Sequence, residues 1–110
     1  IDKMNEACQY FIGEHDFNAF CASGSQTKTT VRTIYKLNVR REKDIVTISV
    51  TGSGFLYNMV RIIAGTLVAV GSGKIKPEEI KDIIESKDRT KAGKTLVPNG
   101  LTLMEVNYDK

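Results

Sequence analysis

The stretch from Gly52 to Gly73, GSGFLYNMVRIIAGTLVAVGSG, limits what this chain can fold into more than any other part of it. From Phe55 to Val70 nearly every position is apolar, and Arg61 is the single charge. That pattern predicts a helix with no obvious solvated face, buried on most sides. It is too short and too interrupted to span a membrane, which needs about 20 apolar residues.

Arg61 makes the segment more than a core helix. With a helix starting near Leu56, Arg61 falls in the second turn, closer to the positive end of the helix dipole than to the end that favours a cation. Tyr57, Asn58, Ala64 and Gly65 share its face, which is therefore polar or small. A buried guanidinium there needs an anionic acceptor. The nearest acids in sequence, Asp44 and Glu78, lie outside the segment. Two readings stay open: Arg61 reaches water past its small neighbours, or it holds a carboxylate or phosphate.

The rest of the chain reads as a single α+β domain over residues 1–110. Met4, Ala7, Cys8, Phe11 and Ile12 recur at helical spacing, so a helix is expected from Asp2 to about Ile12, stopped by Gly13. His15, Asp16, Phe17 and Phe20 fall in a turn-rich connector, where the phenylalanines fill the core and Asp16 or Asn18 caps a short turn. Ser23 to Thr30 reads as a polar surface loop whose Lys28 and hydroxyls either stay solvated or meet phosphates. Val31 to Arg40 alternates as a strand, with Val31, Thr33, Tyr35, Leu37 and Val39 on one face and Arg32 on the other. Ile45 to Val50 is the returning strand of a hairpin. A second helix follows Pro77, with Ile80, Ile83 and Ile84 as its apolar stripe. Lys87, Arg89, Lys91 and Lys94 surround the lone Asp88 in the most basic local run, read either as a solvated loop or as phosphate contact. Leu101 to Tyr108 is the last strand. The expected fold is thus an antiparallel sheet of about three strands with helices on one face, leaving a sheet edge and part of the long helix without cover.

Composition excludes little. A net charge of +3 permits contact with nucleic acid without requiring it. Cys8 and Cys21 form no CxxC pair and have no histidine cluster nearby, which points to a reduced, cytoplasmic chain without a zinc site. The lone His15 beside Asp16 does not make a Cys-His hydrolase, because neighbouring residues point apart and no nucleophile is fixed by spacing. The chain opens on Ile1, in keeping with a piece of something longer.

The segments GSGFLYNMVRIIAGTLVAVGSGKI, PEEIKDIIESKDRTKAGKT, GLTLMEVNY and HDFNAFCASGSQTKTTVRTIY together resemble the C-terminal half of the tRNA pseudouridine synthase A family. The resemblance covers essentially the whole chain, and its M-V-R, G-x-L and K-D-R elements are long, ordered and specific. It implies half of a pseudouridine synthase fold and a role in isomerising uridine to pseudouridine in the anticodon stem-loop of tRNA, with no cofactor or metal. It further implies a cytoplasmic, homodimeric parent enzyme that does not enter membranes. The family's nucleophilic aspartate stands in an R-T-D motif that is absent here, so this chain alone is expected to be inactive and to need the N-terminal half of the enzyme as partner. Arg61 would orient that aspartate, with Phe55, Tyr57 and Leu101 as pocket wall and floor. Lys28, Arg32, Lys87, Arg89 and Lys91 would face RNA, and no role is assigned to His15 or Asp16. A free-standing RNA-binding or regulatory α+β module without chemistry is the alternative, and an inactive structural domain a third.

Overall fold

A computed structural model describes residues 2–21, 29–56, 58–96 and 102–108, with residues 102–104 and 108 described through their backbone only. Helix α1 (Asp2–Cys8) runs into a 3-10 turn, Gln9–Phe11, and strand β1 (Gly13–Asp16) follows. After a second 3-10 turn, Asn18–Phe20, come β2 (Val31–Glu42) and β3 (Ile45–Gly52). Helix α2 (Met59–Gly71), helix α3 (Glu79–Ser86), a third 3-10 turn (Arg89–Lys91) and β4 (Thr102–Tyr108) complete the order.

The sheet has four strands in the order β1-β2-β3-β4, not three. Its first two pairings are antiparallel and β3–β4 is parallel, so the sheet is mixed. The parallel pairing follows from the two helices between β3 and β4, since a parallel neighbour needs a long crossover. Strand β1 escapes sequence pattern because GEHD contains no β-branched residue.

The expected face of β2 is also corrected. Leu37 and Val39 are buried as expected, but Val31 and Tyr35 are exposed and Ile34 is buried in their place. A register shift between Ile34 and Lys36 inserts Tyr35 as an extra residue opposite β3, and such a bulge inverts the alternation of side chains beyond it. The inward face of the sheet therefore carries Ile34, Leu37, Val39, Ile48 and Val50, all buried. The helices cover it through Met4, Ala7 and Cys8 of α1, Ile62, Ile63 and Leu67 of α2, and Ile80, Ile83 and Ile84 of α3. Phe11, Phe17 and Phe20 are fully buried, with edge-on ring contacts from Phe20 to both others. On the outer face Arg40 donates to Ser49 Oγ at 3.1 Å and pairs with Glu105, tying β2 across β3 to β4.

Strand β1 pairs only with residues 31–34, so the outer edge of β2 beyond that point lacks a strand neighbour among the described residues. Asn5 takes that place: its Nδ2 donates to Val39 O and its Oδ1 accepts from Val39 N, both at 2.8 Å. Asn5→Ala is expected to lower stability by about 2 kcal/mol, since two backbone groups lose partners. Urea denaturation checks this, and an unchanged midpoint would contradict it. Both cysteines are buried and neither is in a disulfide, and burial pushes the Cys8 thiol up to about 12. A thiol that stays protonated at neutral pH is an inert packing group.

Candidate active site

The long apolar segment folds as α2, but it begins at Met59 rather than near Leu56. Phe55 and Leu56 lead into it, and Asn58 stands before it in the left-handed region at φ 59°. Asparagine tolerates this conformation better than most residues do. Its side chain does not cap the helix. Arg61 therefore lies in the first turn, one turn nearer the positive helix end than the sequence suggested. A cation here is unfavourable for the isolated helix. The guanidinium and the uncapped helix end both raise the local positive potential, which suits an incoming anion.

Around Arg61 the surface forms a hollow of about 330 Å³. Phe55, Asn58, Val60 and Val106 line it, with the buried Leu56 and Met59. Phe55 is set by Gly52: a Cβ there would stand 2.8 Å from Thr33 O and 3.0 Å from the Phe55 ring. Val106 reaches the hollow because β4 lies parallel to β3, with Val106 opposite Val50. Arg61 is exposed, and among the described residues it makes no ion pair. The reading in which it reaches water describes this chain, and the same exposure leaves it open to a carboxylate or phosphate from elsewhere.

One turn further along α2, the face that Gly65 shares with Arg61 is met by an extended segment, residues 93–96. Leu96 N donates to Arg61 O at 3.0 Å, and Gly93 N donates to Thr66 Oγ1 at 2.8 Å. Thr66 in turn donates to Ile62 O. The backbone passes so near Gly65 that a Cβ there would lie 1.7 Å from Lys94 O. The small face read from the sequence thus receives main chain, not solvent.

The other expected site residues are dispersed. Tyr57, Leu101 and Lys28 lie outside the described residues. Arg32, the second residue of β2, donates to Thr29 O and Val31 O at 2.9 and 2.7 Å, and adjoins Gly54 beside the hollow. Lys87 is exposed at the end of α3, with Nζ 3.7 Å from Asp16 Oδ2. Asp16 also accepts from Asn18 N and Thr30 Oγ1, so it joins the end of β1 to the start of β2 and to α3. His15 stands opposite Arg32 and its ring meets the carbonyl of Ile12. Lys91 borders a different hollow, together with Glu79 and Asp82. Arg89 is half-buried and turned inward: Nη1 donates to Gly93 O at 2.8 Å and Nη2 to Thr95 Oγ1 at 3.2 Å. Asp88 caps the start of the turn Arg89–Lys91, and its bonds from Thr90 hold its carboxyl below the usual carboxylate range. No group of three histidine, cysteine, aspartate or glutamate side chains gathers among the described residues.

Asn58 was read only as a neighbour on the Arg61 face, and Val106 only as a strand residue. An asparagine before a helix ordinarily signals an extended capping residue, so its left-handed conformation was not legible, and nothing local could place Val106 beside Arg61.

Residues 7–109 match the family described as tRNA pseudouridine synthase. The chain is 56% identical over 108 residues to tRNA pseudouridine synthase A of Caldicellulosiruptor bescii, covering 98% of this chain and 44% of that protein. It is 54% identical over 108 residues to tRNA pseudouridine synthase A of Thermoanaerobacter sp., with the same coverage of 98% and 44%. It is 55% identical over 109 residues to tRNA pseudouridine synthase A 2 of Clostridium tetani, covering 99% of this chain and 44% of that protein. The chain thus spans less than half the length of these curated relatives.

Proposed function

This chain belongs to the tRNA pseudouridine synthase family, and from that premise we propose that it supplies Arg61 and one wall of the active site to an enzyme that converts uridine to pseudouridine in the anticodon arm of tRNA. The observation that carries this reading is Arg61 itself: an exposed guanidinium in the first turn of α2, beside an apolar hollow, without an acid of its own among the described residues. The coverage of 44% leaves room in the parent protein for the nucleophilic aspartate.

In the reaction the bond between N1 of the base and the ribose carbon breaks, the base turns over, and carbon-5 bonds to the ribose. The hydrogen on carbon-5 leaves as a proton, while N1 gains one. Arg61 donates to the aspartate from the other half, holding it ionised because a neighbouring cation depresses a carboxyl pKa. Phe55 and Val106, with Tyr57 and Leu101, wall the flipped base. Lys28, Arg32, Lys87 and Lys91 meet RNA phosphates, which fix position rather than read sequence. The parent enzyme acts in the cytoplasm as a homodimer. Among the described residues no helix is long and apolar enough to cross a membrane.

Tritium release from carbon-5-labelled uridine in unmodified tRNA tests this. Release by the full-length protein and none by residues 1–110 alone is expected. Release by residues 1–110 alone would overturn the placement of the nucleophile. No release by the full-length protein, with tRNA still bound, would favour the RNA-binding module.

A further inference from the structure

Arg89 belongs to the basic run that suggested phosphate contact, yet its geometry differs from that of Lys87 and Lys91. Two arms of its guanidinium engage neighbours in its own chain, Gly93 O at 2.8 Å and Thr95 Oγ1 at 3.2 Å. Both acceptors lie on the segment that crosses α2. That segment makes three contacts with the helix: Gly93 N with Thr66 Oγ1, the Lys94 carbonyl against Gly65, and Leu96 N with Arg61 O. The last holds the backbone of the residue whose side chain faces the hollow.

From this chain of contacts we infer that Arg89 is a positioning residue for Arg61. Its fork holds residues 93–96 down, and those residues fix the rotation and depth of the first turns of α2. Asp88 sets the direction from which the fork approaches, because its carboxylate accepts from both Thr90 N and Thr90 Oγ1. Two divergent acceptors suit a planar guanidinium, and an ammonium on a flexible stem cannot reproduce the pair. Displacing a site group by about 1 Å costs up to about a hundredfold in rate. A small shift of the segment therefore becomes a kinetic defect without change in the RNA-facing surface. The inference rests on the role proposed for Arg61.

Arg89→Lys in the full-length enzyme separates positioning from phosphate contact, because it keeps the charge and loses the fork. Single-turnover tritium release at saturating tRNA is expected to slow about tenfold. The tRNA dissociation constant and its salt dependence are expected to stay as in wild type. In an Arg61→Lys background the same change should have little further effect, since the two residues act as one unit. Hydrogen exchange in the peptide containing residues 93–96 should speed up in Arg89→Lys while β2 and β3 remain unchanged. Four outcomes would overturn the inference: an unaltered rate, a loss confined to tRNA affinity, the same fold-loss in both backgrounds, or unchanged exchange at 93–96. An inactive wild type, or one indifferent to Arg61→Lys, would instead strike the reading of the site on which the inference rests.

Discussion

Arg61→Lys in the full-length protein is expected to lower turnover about a hundredfold to a thousandfold, the loss typical when one preorganised donor is removed from an active site. Affinity for tRNA should stay near that of wild type, because the positive charge remains. The reason is geometric. A carboxylate held by a guanidinium receives two parallel N–H bonds, and a lysine supplies one point of contact whose orientation nothing fixes. Arg61 stands where helix formation alone would not place a cation, in the first turn of α2 and without a side-chain cap before it. Its exposure leaves the whole fork available to an acceptor from outside these residues. Single-turnover kinetics with separately measured tRNA binding distinguishes the outcomes: turnover near wild type would remove Arg61 from the mechanism, and a loss confined to binding would make it a phosphate contact.

Gly65→Ala has the second large effect, and here two physical terms oppose each other. Alanine in a helix interior is favoured over glycine by about 1 kcal/mol. Against that, its Cβ would lie 1.7 Å from the Lys94 carbonyl oxygen and 2.9 Å from the carbonyl carbon, and neither is the end of a flexible side chain. The segment must lift, which breaks the bonds from Leu96 N to Arg61 O and from Gly93 N to Thr66 Oγ1. Thr66 is fully buried, so its hydroxyl would lose an inside partner. Overpacking of this kind costs about 3 kcal/mol, and the clash wins. Denaturation midpoints measure it. A variant as stable as wild type, or more stable, would mean that the segment does not rest on the helix as described.

The apolar run from Phe55 to Val70 announced a buried helix correctly because such a stretch has no other low-energy place in a domain of this size. Ile80, Ile83 and Ile84 likewise fixed the inward face of α3 by spacing alone. What failed was information that lies between elements. Tyr35 sits on a bulge, and one extra residue reverses which side chains face the core, a change that alternation within one strand cannot reveal. The direction of β4 depends on the path of the chain through α2 and α3, not on its own residues. The small face of α2 at Ala64 and Gly65 was visible, but its occupant came from some thirty residues downstream. Arg89 illustrates the same limit at the site: among Lys87, Lys91 and Lys94 it reads as one more surface cation, and only the carbonyl of Gly93 and the hydroxyl of Thr95 distinguish it. Arg61 was legible as an anomaly, a charge in an apolar helix, while the anion proposed for it was not, since Asp44 and Glu78 lie outside the segment and no described acid pairs with it.

The most direct measurement is a crystal structure of the full-length protein, read at Arg61. The predicted result is a forked contact of about 2.8 Å between its guanidinium and the carboxylate of an aspartate from the other half, at the mouth of the hollow lined by Phe55 and Val106. An Arg61 side chain turned to solvent there, with the nearest aspartate beyond hydrogen-bonding distance, would contradict it.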